Sequence, residues 1–223
     1  MVNNCQAAET IDLIGLTTVK NNKLPEYWQP FSFPTISSTT NYKIVNDPDY
    51  GPVVFAQSSS GAGGIYRSIS VDPRKFPLLK WSWKIQETLP GSSLHHKSGD
   101  DFPVRVMISF QTERTGRKGL RDNILCYVWA SEDSVDSVAV NPIHRHIMTV
   151  VAASGNTYSG AWLELSRNIV DDYRQAFSAE PGRIIGVALM TDSDNTGSEV
   201  HAWYGPAWLK SVSELAPPSE PER

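Results

Sequence analysis

Strict alternation of apolar and polar residues is the feature that most limits how this chain can fold, and it is clearest between Leu79 and Ile85. In that segment Trp81, Trp83 and Ile85 fall on one face of an extended chain, and lysine and serine residues fall on the other. A period of two residues is typical of a β-strand with one buried and one solvated face. The segment therefore predicts a half-buried strand.

Nine other short segments have the composition of strands and are separated by residues typical of turns. They are Tyr42–Val45, Val53–Gln57, Ile65–Val71, Phe102–Phe110, Asn123–Ala130, His144–Ala153, Ala161–Leu165, Arg183–Thr191 and His201–Leu209. The chain also has 15 glycines and 15 prolines spread along its length, which suits many turns between short strands.

One segment, Arg167–Phe177, has helical periodicity instead, since Ile169, Tyr173 and Phe177 form an apolar stripe behind a candidate N-cap at Asn168. The alternating helices of a doubly wound α/β protein are missing. We therefore predict an all-β fold, an antiparallel β-sandwich resembling a jelly roll, with one short helix near residues 168–177.

The length of 223 residues fits one large all-β domain. Hydrophobic residues make up 40% of the chain and charged residues 20%, which predicts a packed core rather than disorder. We expect a loosely ordered lead-in over residues 1–25, a single β-sandwich domain over residues 26–210 and a polar tail over residues 211–223.

Several classes of protein are disfavoured by what the sequence lacks. There is no apolar run of about 18 residues, so no membrane span is expected. No basic patch accompanies the net charge of −4, so nucleic acid is not an expected partner. The start shows no leader, so the protein is expected in the cytoplasm, or in the periplasm or outside the cell if a leader was removed. Cys126 alternates with Ile124 and Val128 as a core residue, and neither it nor Cys5 has the setting of a catalytic thiol.

Two acidic loops stand at predicted strand ends, Ser98–Asp101 before one strand and Asp192–Gly197 after another. The second loop is similar to the start of a calcium loop, but position five is Thr196 and position twelve is Trp203, which excludes an EF-hand. Two alternatives stay open. In the first, a structural Ca²⁺ is bound by Asp192, Asp194 and Asn195. In the second, these side chains accept hydrogen bonds from nearby main-chain amides in a turn. Apart from this Ca²⁺ alternative no cofactor is expected.

The carboxylates of the two loops also permit catalysis. Asp100 or Asp101, paired with Asp192 or Asp194, has the groups that cleave a glycosidic bond as general acid and base. The competing interpretation is a structural salt bridge, for example to Arg105.

Aromatic residues close to these loops suggest a sugar-binding surface, because ring faces stack on sugars while carboxylates and amides take the hydroxyls. If the strands around residues 105 and 127 pair, one face is expected to carry Arg105, Met107, Tyr127 and Trp129. That face is either a ligand surface or the inner face of the sandwich with one snorkelling arginine. Trp203 and Tyr204 follow the second acidic loop, and the alternative for them is a place in the core.

A transition-metal site is a further alternative, since His144 and His146 are expected on one side of a strand. The candidate ligand-binding residues taken together come from both acidic loops and the neighbouring aromatic segments. They are Asp100, Asp101, Arg105, Tyr127, Trp129, Asp192, Asp194, Asn195, Trp203 and Tyr204.

Six segments together are characteristic of one protein family: Trp81–Trp83, Ser98–Phe102, Tyr127–Ala130, Asp172–Phe177, Met190–Gly197 and Ala202–Gly205. On these segments the chain resembles the bacterial domain-of-unknown-function family 3047 over roughly residues 52–208. It implies a jelly-roll sandwich similar to carbohydrate-binding modules, often exported, and it brings no assigned catalytic residues.

These observations predict non-catalytic binding of a carbohydrate or a similar polyhydroxylated ligand, because no complete catalytic set accompanies the acidic loops and aromatic strands. Two alternatives are a sugar-processing hydrolase or lyase that uses the paired carboxylates, and a module whose aromatic patch binds another protein. No particular oligomeric state is predicted.

Overall fold

A computed structural model describes residues 8–19, 22–112 and 122–212 of the chain. Within these ranges there are thirteen β-strands, one α-helix and two short 3-10 helices, Leu16–Thr18 and Lys97–Gly99. The strands are β1 Thr10–Asp12, β2 Gln29–Ser32, β3 Asn41–Asp47, β4 Gly51–Ser59, β5 Ala62–Val71, β6 Leu78–Ile85, β7 Arg105–Phe110, β8 Asn123–Ala130, β9 Val138–Val140, β10 Ile147–Ser154, β11 Leu163–Asn168, β12 Ile184–Asp192 and β13 Glu199–Lys210; the helix is α1 Ile169–Phe177.

The described strands form two sheets that pack face to face. The six-stranded sheet has the order β11-β6-β13-β4-β3, with β1 also paired to β13. The seven-stranded sheet has the order β2-β5-β12-β7-β8-β10-β9. The predicted β-sandwich, rich in antiparallel pairs, is confirmed. The exception is the parallel pair of β8 and β10, which arises because β9 runs back along the far side of β10.

The core lies between the sheets and is rich in aromatic rings. Trp81 and Trp83 of β6 point inward, as their alternation predicts, and are almost fully buried. Their rings meet those of β8 across the interface, with Trp81 5.3 Å from Tyr127 and Trp83 6.3 Å from Trp129 between ring centroids. Burial of such large apolar surfaces is the main stabilising contribution in a sandwich of this kind.

The predicted helix is confirmed, and it begins where its cap places it. The Asn168 side chain accepts hydrogen bonds from the amides of Val170 and Asp171, which satisfies two of the free N–H groups of the first turn. The Tyr173 ring packs 4.7 Å from that of Phe110, which fixes the helix against the sandwich. No helix in the described part of the chain is long and apolar enough to cross a membrane.

Residues 8–19 of the lead-in contact the sandwich. β1 pairs with β13, with Thr10 opposite Lys210, and Leu13 and Ile14 are buried. The Arg67 guanidinium also binds the carbonyl of Leu13 at 2.8 Å. A three-residue strand has too little alternation to be recognised before its partner is known. Residues 1–7 and 213–223, which include Cys5, lie outside the described residues.

The expected strand over His144–Ala153 is partly wrong, since β10 begins only at Ile147. His144 and His146 lie in the preceding turn, which is closed by a hydrogen bond from the Ile147 amide to the His144 carbonyl. They therefore do not project from one side of a strand, although their rings are 5.7 Å apart.

Candidate functional site

The two acidic loops meet on the outer side of the seven-stranded sheet, at the end where β12 stops and β7 starts. Arg105 is the first residue of β7 and lies opposite Met190 of β12. Because Val104 and Val106 point into the core, the Arg105 side chain points away from it. Phe102 packs over the guanidinium at 4.7 Å and helps to cover it.

Arg105 joins the loops through charge-assisted hydrogen bonds. Its Nε and Nη2 atoms donate to the two carboxylate oxygens of Asp192 at 2.9 and 2.6 Å. The same Nη2 donates to the Asp100 carbonyl at 2.7 Å and to its carboxylate at 3.2 Å. The fork geometry of arginine suits this two-pronged contact. Asp100, Arg105 and Asp192 are all buried, so water competes little for these bonds.

The second carboxylate of the first loop binds the second loop directly. Asp101 is fully buried and accepts bonds from the Asn195 side-chain amide at 3.0 Å and the Thr196 main-chain amide at 2.6 Å. The side-chain amide of Asn141 also donates to the Asp100 carboxylate, at 2.9 Å. We call Asp100, Asp101, Arg105, Asp192, Asp194 and Asn195 the acidic cluster.

Burial governs the charges in the acidic cluster. It raises the pKa of Asp192 from 3.8 to about 7, although Arg105 opposes the shift, and Asp101 adds repulsion. Burial and the charge of Asp101 likewise raise the pKa of Asp194. For Arg105, burial alone would lower the pKa, but Asp192 and Asp100 outweigh it and hold the pKa well above its ordinary value. The guanidinium therefore stays charged, and the carboxylates outnumber it.

The cation site predicted at the second loop stays a prediction. Oxygens of Asp101, Asp192 and Asp194 lie within 4.8 Å of one another, a spacing that suits a cation. Asp192 is already paired with Arg105, however, and the Asn195 amide nitrogen faces Asp101 rather than a shared centre. A cation would have to share the Asp192 oxygens with the guanidinium.

The predicted face of Arg105, Met107, Tyr127 and Trp129 does not exist. Pairing places Arg105 opposite Val128 and Val106 opposite Tyr127, and opposite residues of an antiparallel pair point to the same side. Tyr127 and Trp129 therefore face the core, fully buried, while Arg105 and Met107 point outward. The face prediction is wrong because the register of the pair is one residue from the one assumed.

Tyr204 and Trp203 separate in the same way. Tyr204 is buried and its hydroxyl donates to the Met190 carbonyl at 2.6 Å and accepts from the Arg105 amide at 3.3 Å, so it links the two sheets beneath the acidic cluster. Trp203 points outward from the six-stranded sheet and is half-buried. The acidic cluster and the predicted aromatic residues therefore do not form one pocket.

Trp203 belongs to a row of side chains that crosses the outer face of the six-stranded sheet. Pairing places Lys43 opposite Phe55, Phe55 opposite Trp203, and Trp203 opposite Lys84. Trp162, just before β11, extends the row beyond Lys84. Five strands spaced by about 4.8 Å give a row about 19 Å long. We call these five residues the aromatic row.

Each ring of the aromatic row has a lysine ammonium group close to it. The Lys84 Nζ atom lies 4.9 Å from the centre of the Trp203 ring and 4.8 Å from that of Trp162, and the Lys43 Nζ atom lies 5.2 Å from Phe55. The Phe55 and Trp203 rings are 5.2 Å apart at 48°, so the surface is ridged rather than flat.

Two carboxylates flank the aromatic row. Asp47 accepts from Lys84 at 2.8 Å and from the Trp162 indole at 3.1 Å. Burial would raise the pKa of Asp47, but these hydrogen bonds outweigh it and lower the pKa from its ordinary value. Glu164 accepts from the Tyr50 hydroxyl at 2.6 Å, and burial together with that bond raises the pKa of Tyr50 to about 12. Asp47 holds the Trp162 ring directly, and Glu164 holds Tyr50, whose ring packs 4.6 Å from that of Trp162.

The family model described as Protein of unknown function (DUF3047) matches residues 26–208. This chain belongs to DUF3047. No significant match is found among curated proteins.

Solved structures similar to this DUF3047 chain include the family 11 carbohydrate-binding module of the cellulase Lic26A-Cel5E of Clostridium thermocellum, with a TM-score of 0.48 and 11% identity over 92% of this chain and 95% of that one. Another is the CBM22-1 xylan-binding domain of Paenibacillus barcinonensis Xyn10C, with a TM-score of 0.40 and 9% identity over 85% and 88%. A third is the family 11 xylanase of Neocallimastix patriciarum, with a TM-score of 0.38 and 7% identity over 92% and 97%. Such values carry no argument about function.

Sequence patterns missed most of the aromatic row of this DUF3047 chain. Phe55 and Trp203 are far apart in the chain and meet only through strand pairing. The available signal was alternation, since Trp203 and Lys84 both occupy the polar face of their strands. Without the register of the sheet that signal does not place them side by side.

Proposed function

We propose that this chain is a non-catalytic module that binds a carbohydrate or a similar polyhydroxylated ligand on the aromatic row. The single observation that carries the proposal is the in-register alignment of Phe55, Trp203 and Trp162 on an outer sheet face. Half-buried rings on a protein surface offer apolar faces on which the C–H faces of sugar rings stack. In this proposal Trp203 is the member of the predicted site that contacts ligand directly.

Polar side chains between the rings suit the hydroxyl groups of the same ligand. Lys84 and Lys43 present N–H donors, and Glu164 is an exposed acceptor on the neighbouring strand. The Asp47 and Tyr50 contacts keep this arrangement fixed before ligand arrives, which lowers the entropy lost on binding. A row of ring faces with hydrogen-bonding groups beside them fits a linear chain of sugars lying across the strands.

The state of the acidic cluster supports binding without turnover. Glycoside cleavage needs two carboxyl groups beside the scissile bond, with room for substrate between them. Asp100 and Asp192 are instead buried and bound to the same guanidinium. In this proposal the cluster holds the two loops against the sheet, and no substrate reaches it.

A glycan array followed by calorimetry tests the proposal. Trp203→Ala is expected to weaken binding of the best array hit by about 2 kcal/mol, or about thirtyfold in Kd, because a central aromatic contact is lost. The matched control is Tyr27→Ala, which removes a tyrosine that is 41% exposed in the turn before β2. The control should bind as the unchanged protein does.

Assays of glycoside turnover and of protein binding distinguish the two alternatives. Turnover of a glycoside that Asp192→Asn abolishes would assign a hydrolase or lyase and refute the proposal. Absence of binding to every saccharide, together with a protein complex that Trp203→Ala disrupts, would assign the aromatic row to a protein partner.

A further inference from the structure

A second concave surface lies on the outer side of the seven-stranded sheet. It is a groove of about 440 Å³ whose floor and walls include Tyr66 and Ser68 of β5, Gly186 and Ala188 of β12, Ser109 of β7 and Ile124 of β8. Ligand pockets have volumes of about 300–1,000 Å³, so the groove has the capacity to hold one or a few rings. It lies on the opposite face of the sandwich from the aromatic row.

Strand register creates the groove by aligning small side chains. Ser68 lies opposite Gly186, and Gly186 lies opposite Ser109. Three adjacent strands therefore have only small side chains or none at these paired positions, which leaves a depression in the sheet surface. Tyr66, opposite Ala188, rises beside them as a wall and is 39% exposed. Its hydroxyl donates to the Gln29 side chain at 2.6 Å, which fixes the ring.

The floor carries serine hydroxyls among small apolar residues, and no charged side chain is among the floor residues named above. Within the described ranges, the hydroxyls of Ser68 and Ser109 make no hydrogen bond, so both are available to a ligand. The titratable groups around the groove are engaged elsewhere. Arg67 binds the carbonyls of Asp12 and Leu13, and Asp122 and His146 each have a partner of their own. A neutral ligand rich in hydroxyl groups suits this floor.

The floor does not suit an extended peptide. β12 and β7 are each paired on both sides, so their main-chain groups are already used in the sheet. Peptides that add to sheets need free main-chain donors and acceptors at an edge. A sugar ring can instead stack on Tyr66 and form hydrogen bonds with the serine hydroxyls, and neither contact needs a free main-chain group.

We propose that this groove is a second saccharide site, specific for neutral sugar rings, so that one chain holds two glycan segments on opposite faces of the sandwich. The groove shares no residue with the aromatic row, so binding in the groove is independent of the row, whereas holding two glycan segments at once rests on the proposed function. Its function would be to join two glycan chains, or two parts of one chain.

Amide chemical shifts of ¹⁵N-labelled protein, titrated with cellohexaose, xylohexaose and mannohexaose, test this proposal. At least one probe is expected to shift the amide signals of Ser68, Ser109 and Gly186. Ser68→Trp fills the groove from an exposed position and should weaken that binding by at least about tenfold. Ser32→Trp is the matched control, an exposed serine on the edge strand β2, and should leave the binding unchanged.

The outcomes separate this site from the aromatic row. Groove shifts that persist in Trp203→Ala and disappear in Ser68→Trp would support two independent sites. Shifts confined to Phe55 and Trp203 would keep the proposed function and overturn the second site. The second site is equally overturned if the groove shifts are the same in Ser68→Trp as in the unchanged protein. The amide spectrum of Ser68→Trp without ligand, compared with that of the unchanged protein, reports whether the variant is folded.

Discussion

Replacing Arg105 by methionine tests whether the acidic cluster holds the two loops on the sheet. The side chain of Arg105 is 5% exposed and contacts Asp192 and Asp100 through its guanidinium. Methionine has a similar length and an apolar stem, so the exchange removes charge and hydrogen bonds with little change in volume. Asp192 and Asp100 would then be buried without a cation.

Removing one partner of a buried ion pair costs about 3–5 kcal/mol, because the remaining charge stays desolvated. The cost depends on pH, since Asp192 escapes it by binding a proton. With Arg105 in place burial already raises the pKa of Asp192 to about 7, and removing the arginine raises that pKa further. At pH 5 the carboxyl is therefore protonated with or without the arginine, whereas at pH 8 the variant must either bury the anion or take up a proton that the unchanged protein mostly lacks. We expect a loss in the free energy of unfolding of about 4 kcal/mol at pH 8 and of less than about 2 kcal/mol at pH 5.

Urea titrations followed by tryptophan fluorescence at the two pH values measure this difference. A loss of about 4 kcal/mol corresponds to about 8–16 °C in melting temperature for a chain of this size. Arg183→Met is the control, since Arg183 is exposed and its side chain binds only Ser70 among the described residues, and it should cost less than about 0.5 kcal/mol. A loss below about 1 kcal/mol at pH 8, or an equal loss at both pH values, would refute the reasoning.

Three further predictions follow from the same contacts. Because burial raises the pKa of Asp192 from 3.8 to about 7, the folded chain holds this proton more tightly, so urea stability should fall between pH 4 and pH 7 less steeply in Asp192→Asn than in the unchanged protein. Asn168→Ala should lower the free energy of unfolding by about 1 kcal/mol in thermal melts, whereas Asn168→Asp should retain the cap. Since Arg105 and nearby amides already bind the clustered carboxylates, EDTA should leave the melting temperature unchanged, and a rise on adding calcium would contradict this.

Local patterns were sufficient wherever one segment determined its own structure. The predicted strand Asn123–Ala130 has the same bounds in the structure, and Asn168 caps the helix as its position before an apolar stripe predicts. Strands of three or four residues, such as β1 and β9, were missed because their pairing partners supply most of their stability. Alternation over so few residues is too weak a signal.

Relationships between segments were harder to predict. The two acidic loops could be expected to meet, since each stands at a strand end, and the structure brings them together through Arg105. The burial of that meeting point was not visible, because it depends on Phe102, which directly follows the first acidic loop, folding back over the guanidinium. The faces of β7 and β8 were misassigned because a shift of one residue in register reverses every side chain.

The energetics of the acidic cluster bear directly on catalysis. A substrate could reach Asp192 only after the loop carrying Asp100 lifts away, which breaks the contacts of both carboxylates with Arg105. If that costs about 3–5 kcal/mol, the open form is populated at roughly one part in 10² to 10⁴. The binding free energy of any ligand at the cluster would be reduced by the same amount, because only the open form binds it. A ligand on the aromatic row faces no such cost, since Phe55, Trp162 and Trp203 already meet solvent. Turnover at the cluster would therefore be slow and would rise when Arg105 is removed, whereas binding at the row would be unaffected by that change.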